Sequence, residues 1–438
     1  MNTSTTKITL AGCVALGTGV MIGAGIFALT GQVAELAGAW FPVAFVVGAV
    51  VTGLSAYAYA RYASVNPSSG GIAMLLKDAY GPGVVAGSFS LFMYVSMVIA
   101  ESLLARTFGT YLLRPFGLQD STVLVPALGI LAIASAATIN LVGNRLVEGT
   151  ALATAVFKIA GIALLAIAGL IGGLASGLDS RVEGATESPG ALSLIAAIGL
   201  CVLAYKGFTT ITNHGDDVRT PERNLARSIG ISIAICAVIY LLISLAVGSS
   251  IGAAGAVDAR DYALAESAEP LFGAWGVGIT VAVAVVATLS GLLASLYSVS
   301  RLLGMLQDMR QAPRLPSRVP HQPLFITAGL AMLVTAFLDL SRIAALGVFL
   351  YLSMDIAVQW GVARRLRTKI AATWWLPILV IGLDAAILIA FATIKIPTDP
   401  LTVIVALVVA AVIFVAQGFA VRHVARSEHD QDAGRSSP

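Results

Sequence analysis

Five ionisable side chains stand inside long apolar runs of this 438-residue chain: Glu101, Lys158, Lys206, Asp355 and Asp384. A charge in hydrocarbon is costly unless it is paired or hydrated, so each is a functional candidate. Carboxylates and ammonium groups set apart from any nucleophile or metal cluster suit two kinds of work, the holding of an ionic ligand and the movement of protons. Two interrupted apolar runs accompany them. One is Gly23-Ala24-Gly25-Ile26-Phe27, preceded by Gly17 and Gly19; the other is Ala204-Tyr205-Lys206-Gly207-Phe208-Thr209-Thr210. Small residues let a membrane helix open there, so that backbone N–H groups and carbonyls face a ligand rather than lipid. The competing role for the same glycines is close helix packing.

The elements that must position these groups follow from composition. The chain is 58% hydrophobic and 11% charged, against roughly 25% charged in a soluble domain. Its mean hydropathy of +0.91 excludes an ordinary cytosolic enzyme, a nucleic-acid binder and a secreted disulfide scaffold. Cys13, Cys201 and Cys236 each lie in an apolar stretch without a CxxC pair, and His214, His321, His423 and His429 show no ligand spacing. No disulfide framework, metal site or cofactor is expected. A membrane helix needs about 20 mostly apolar residues. About twelve such segments lie near 8–30, 39–61, 83–113, 121–142, 149–174, 192–211, 226–251, 274–306, 323–340, 342–361, 372–393 and 400–423. The first is read as a retained helix, not a signal peptide. Alternate connections hold eighteen of the lysines and arginines, among them Lys7, Arg61, Arg145, Arg223, Arg314, Arg318 and the run Arg364–Lys369. The other side holds six, Arg106, Arg114, Arg181, Arg260, Arg342 and Lys395. The positive-inside rule then puts both termini in the cytoplasm of an inner-membrane protein.

The run GAGIF, and AYKGFTTITNHGDDVRTPERNLARSI from Ala204 to Ile229, resemble the amino acid–polyamine–organocation superfamily, as do NPSSGG (Asn66–Gly71) and YSVSRLLGMLQDM (Tyr297–Met309). The resemblance covers about residues 10–310. Arg61, Thr209 and Thr220 depart from it, standing where two acids and an asparagine are common. It implies an all-α polytopic fold of about 12 spans, with a five-plus-five inverted repeat, two further C-terminal helices and breaks in spans one and six. The corresponding divisions are 1–175, 176–362 and 363–426, with a disordered tail over 427–438. It also implies alternating access and a substrate held between spans one, three, six, eight and ten.

By the same resemblance, Lys158 in span five stands where sodium-coupled relatives hold their second sodium ion, tying span one to span eight, with Ser290 as its partner. Proton exchange at Lys158 and a fixed structural role are both open. Gly23, Ala24, Gly25 and Ile26 would offer backbone donors to a carboxylate. Phe208, or else Tyr205, would close over the ligand, although plain helix packing explains either ring. Lys206 would meet the substrate carboxylate, pair with Glu101, or point elsewhere; Glu101 could instead reach Arg106. Leu203 stands where arginine-selective relatives carry a large aromatic. Asp355 would reach the Arg364–Arg367 cluster or take part in proton movement, and Asp216, Asp217, Arg219, Arg223 and Arg301 would form gate pairs.

The expected activity is secondary active transport of amino acids, sodium-independent and driven by protons, with the lipid bilayer, an amino acid and protons as partners. The alternatives are amino acid exchange, polyamine or organocation transport on the same scaffold, and a membrane sensor that binds without moving its ligand. No nucleotide-binding loop or nucleophile–base set suggests an enzyme. Substrate side chain, stoichiometry, direction and oligomeric state are not written in these residues.

Overall fold

The computed structural model describes residues 7–68, 71–142, 145–175, 189–313 and 320–435. Arg181, Arg314 and Arg318 of the charge count, and Ser69 and Gly70 of the NPSSGG motif, lie outside them. Apart from one isolated bridge, Ile8 to Val218, the described residues form helices and short connections.

Thr9 caps the first helix, its hydroxyl accepting from Gly12 N at 3.2 Å. Span one then runs as α1 (Leu10–Met21), a π turn (Ile22–Ile26) and α2 (Phe27–Ala37). Next come α3 (Phe41–Val65), a short α4 (Gly71–Tyr80), α5 (Val84–Leu113), α6 (Leu124–Val142) and α7 (Arg145–Ala175). Span six is divided into α8 (Ala191–Tyr205), a 3₁₀ turn (Lys206–Phe208) and α9 (Thr209–Thr212). The rest are α10 (Pro221–Asp258), α11 (Ala263–Asp308), α12 (Gln322–Phe337), α13 (Leu340–Gly361) with a trailing π turn (Val362–Leu366), α14 (Trp375–Thr398) and α15 (Pro400–Arg435).

Among the described residues, ten helices are long and apolar enough to cross a membrane, and α1 and α12 are shorter apolar helices. With α1 and α2 joined as one span, twelve spans result, as the hydropathy of the sequence predicts. Leu131, Ile167, Leu333, Leu407 and Phe419 are more than half exposed, a pattern that suits a surface bathed in lipid.

Three differences from expectation have physical causes. The spans expected at 226–251 and 274–306 are extended by short helices beyond Gly252 (φ 69°) and before Gly273 (φ 58°); each glycine adopts a backbone angle that L side chains rarely take, so the chain turns there. The amphipathic α4, which buries Ile72, Leu75, Leu76 and Ala79, fills a connection that apolar length alone would not reveal. The last helix continues to Arg435, past the expected tail boundary at Ser427, because adding turns to an existing helix needs no new nucleus. Residues 436–438 lie outside the described set.

The long α5 is the central post, packed against α6, α11, α12 and α13, while α10 joins α3 to α7. The two divided spans run through this frame.

Candidate functional site

The two breaks meet at the centre of the bundle. Gly207 in the 3₁₀ turn comes so near the end of α1 that a β-carbon there would lie 2.7 Å from Met21 N. At Gly25 a β-carbon would lie 2.0 Å from the Tyr240 hydroxyl and 2.9 Å from Ala204 O. That hydroxyl donates to Met21 O at 2.6 Å and to Ala204 O at 3.3 Å. Tyr240, from α10, therefore satisfies carbonyls at the C-terminal ends of both half-helices, α1 and α8. At such a change of helical pitch the carbonyl bonding is weakened, and a second donor supports it in hydrocarbon.

Neither break unravels. Ile22–Ile26 widens into a π turn and Lys206–Phe208 tightens into a 3₁₀ turn, so both stay hydrogen-bonded in a setting where a loose strand would be costly. Gly23 also has a packing duty. A β-carbon on it would lie 2.9 Å from Ala287 O and 3.0 Å from Leu104, so spans three and eight close directly on the turn. The Ala24 side chain lies outside the described residues, and Ile26 is fully buried.

Around the breaks, spans one, three, six, eight and ten converge. Lys158 is 2% exposed and donates to Gly19 O at 3.3 Å and to Ser290 Oγ at 2.9 Å, joining α7 to α1 and α11. Its charge stands at the carbonyl end of the α1 half-helix, where a cation is favoured. Lys206 bonds to Ser96 Oγ on α5 and lies 5.1 Å from the centre of the Tyr351 ring on α13. Glu101 is fully buried, with one oxygen accepting from Ser295 at 3.4 Å and the other without a partner among the described residues. Leu203 faces Gly347, where a β-carbon would sit 3.0 Å from it and 3.5 Å from Ile99.

On the face that carries the N-terminus, contacts among the described residues draw the bundle closed. Arg301 bonds to Asp217, His214 lies 3.4 Å from the same carboxylate, and the His214 ring stacks on Tyr297 at 5.7 Å. The His214 contact, helped by Arg301 and opposed by partial burial, holds the Asp217 carboxyl at about 2, below the usual carboxylate range. Ile8 N donates to Asp217 O at 2.7 Å and Arg219 N to Ile8 O at 2.9 Å, sealing the N-terminal segment to the same loop. On the opposite face a cavity of about 390 Å³ is open. Its walls carry three acids, Glu35, Asp339 and Asp399, and three bases, Arg260, Arg342 and Lys395. Arg260 lies 3.6 Å from Glu35, and Arg342 lies 3.5 Å from Asp339 and 3.2 Å from Asp399. Leu200 and Phe391 also line it.

The family model described as amino acid permease matches residues 8–416. The chain belongs to the amino acid permease family. The permease is 32% identical to the inner membrane transport protein YbaT of Escherichia coli K12 over 376 residues, 84% of this chain and 85% of that protein. It is 25% identical to the serine/threonine exchanger SteT of Bacillus subtilis over 347 residues, 76% of this chain and 77% of that one. The vacuolar cationic amino acid transporter 4 of Arabidopsis thaliana is 27% identical over 256 residues, 55% of this chain and 42% of that one.

Several sequence expectations land elsewhere in the permease. Lys206 turns to Ser96 and Tyr351 rather than to Glu101. Arg106 bonds to Thr335 O at 2.8 Å, not to Glu101, as five residues' spacing places the two side chains on different helix faces. Tyr205 donates to Phe45 O at 3.2 Å, and Phe208 meets the Tyr59 ring edge-on at 5.6 Å, so both aromatic rings pack towards α3. Asp355 does not reach the arginine cluster; it accepts from Ser55 and Tyr59, each at 2.5 Å, and from Gln359 at 3.2 Å. Sequence reasoning missed Tyr240, Ser96, Ser295 and Tyr351. Tyr240 and Tyr351 each carried a signal, a lone phenol in an apolar span.

Proposed function

We propose that the permease is a secondary active transporter of zwitterionic amino acids, sodium-independent and driven by protons, working by alternating access. The observation that carries this reading is the pair Lys206 and Glu101: one basic and one acidic side chain, both buried, each hydrogen-bonded only to hydroxyl groups among the described residues. A zwitterion supplies the counter-charge for each, its carboxylate for Lys206 and the Gly23–Ile26 backbone, its ammonium for Glu101. Buried ions without counter-charges are costly, so a ligand that completes both is bound selectively. The cavity walls, with equal numbers of acids and bases, favour a neutral zwitterion over a polyamine.

Lys158 supports the energetic part. Its ammonium links α7 to Gly19 O and Ser290, the place where the resemblance puts a sodium ion in other transporters. Loss of its proton would release α1 from α11. With both termini cytoplasmic, the sealed face is the inner one and the open cavity faces outwards. The inverted repeat would then let the divided spans rock against the frame built on α5. A second reading, obligatory exchange, is favoured by the relative named as a serine/threonine exchanger.

Uptake of a labelled amino-acid panel into proteoliposomes tests both readings. Accumulation that requires an imposed proton gradient, and is indifferent to sodium, supports symport. Uptake only into vesicles preloaded with unlabelled amino acid supports exchange. No uptake under either condition would refute transport of amino acids and turn attention to a binding sensor.

A further inference from the structure

A second group of ionisable residues lies outside the contacts just described. Asp355 on α13 and Asp384 on α14 are both fully buried, and their carboxyl groups face one another. Ser55, Tyr59 and Gln359 all direct their donors at Asp355. Asp384 receives no donor from the described protein groups, and the buried Tyr351 hydroxyl lies beside the pair and Ser55. While they are shut away from water, two carboxylates in contact hold one proton between them, because Coulomb repulsion and desolvation both oppose a second charge; the proton can leave only when the pair opens to water. The donors are asymmetric: three of them stabilise a charge on Asp355, which leaves Asp384 as the carboxyl that takes a proton.

We infer that Asp355 and Asp384 form a one-proton site that loads and empties during the transport cycle. This rests on the reading of the permease as proton-driven. The site is wired to span six by two rings. Tyr59 donates to Asp355 and its ring meets Phe208 at 5.6 Å; Tyr351 lies beside both acids and beneath the Lys206 ammonium at 5.1 Å. The titratable or charged groups facing the pair are thus Tyr59 from α3, Tyr351 from α13 and, across the Tyr351 ring, Lys206. Tyr80 of α4 turns instead to Ala357 O, and Arg365 to Ala79 O. A proton route from the open cavity is short, since Phe391 on its wall stands seven residues, or about 10 Å of helix rise, from Asp384. The proton enters on Asp384 from the cavity side and leaves to water on the N-terminal face. When it leaves, the pair gains a second negative charge. That charge pulls on Lys206 and disturbs its hold on Ser96 and on a substrate carboxylate.

The experiment compares wild type, Asp384→Asn and Asp355→Asn in proteoliposomes, measuring both exchange into preloaded vesicles and accumulation under an imposed proton gradient. Asparagine at 384 keeps a permanent donor to Asp355, so exchange is retained while gradient-driven accumulation is lost. An Asp384→Asn protein that still concentrates substrate as wild type does overturns the inference and leaves proton-driven transport standing. Wild type that exchanges but never accumulates under the gradient overturns the proton-driven reading and this site with it. Should the variants not fold, infrared spectroscopy of wild type decides. A carboxylic-acid C=O band persisting at neutral pH supports the shared proton, and its absence overturns it.

Discussion

Gly25→Ala is the sharpest probe of the junction between the two breaks. The new methyl would lie 2.0 Å from the Tyr240 hydroxyl and 2.9 Å from Ala204 O, whereas ordinary contact begins at 3.4 Å. The hydroxyl must retreat by about 1.4 Å, which breaks its 2.6 Å bond to Met21 O. Leaving that carbonyl unpaired costs about 1–3 kcal/mol, and forcing a methyl into a filled site costs about 1–3 kcal/mol more. Tyr240→Phe alone loses only the hydrogen bond, about 1–3 kcal/mol. The hydroxyl carries the hydrogen-bond loss in both singles. It is also the nearest of three atoms the methyl meets, Tyr240 Cζ at 2.8 Å and Ala204 O at 2.9 Å remaining in Tyr240→Phe. The double variant should therefore be less destabilised than the sum of the singles by about 1 kcal/mol, the shared hydrogen-bond cost. Unfolding of the purified protein in mixed detergents measures the four corners of this cycle. Single-variant effects that add to within about 0.5 kcal/mol would refute the claim that the hydroxyl occupies the space beside Gly25.

Other consequences can be checked separately. Lys158→Met removes the ammonium bonded to Gly19 O and Ser290 and should abolish gradient-driven uptake; a variant that accumulates substrate normally would show that the lysine is not coupled to transport. Asp217 is held at about 2, so its contribution to the seal is whole above the unfolded aspartate value of about 3.9 and lost as pH falls through the folded value. The Asp217 contribution is therefore constant from neutrality to mild acid, and Asp217→Asn should weaken the seal at neutral pH, read as faster thiol labelling of Ser298→Cys behind it. Gly252 and Gly230 both have open space around them, but only Gly252 has a positive φ, of 69°. Alanine should cost about 1–3 kcal/mol at Gly252 and raise stability by about 0.5–1 kcal/mol at Gly230, measured by thermal unfolding.

The sequence carried more about which residues matter than about whom they touch. Lys158 and Ser290 were legible as a pair because two polar groups in apolar helices each require a partner and the family resemblance places them near each other. The breaks were legible because glycines punctuate otherwise continuous spans. Partners of Lys206 and Asp355 were not, since they depend on the register between helices. Asp355 lies nine residues, about 13 Å of helix rise, from Arg364, too far for a carboxylate when Ser55 and Tyr59 are adjacent. Tyr240 escaped notice because its value lies in a carbonyl 219 positions away in sequence. The direction of Tyr205 and Phe208, towards α3, likewise follows from how tightly α8 rests on that helix, which no spacing rule records.

The π turn at Ile22–Ile26 holds one residue more than an α turn would. Drawing that residue back into α geometry would screw α2 round by about 100° and along by about 1.5 Å, the rotation and rise of a single residue. Glu35, at the far end of α2, would swing out of reach of Arg260, now 3.6 Å away. The surplus residue is slack wound into the helix, and spending it turns a local change of pitch at the bundle centre into a rearrangement of charge at its mouth.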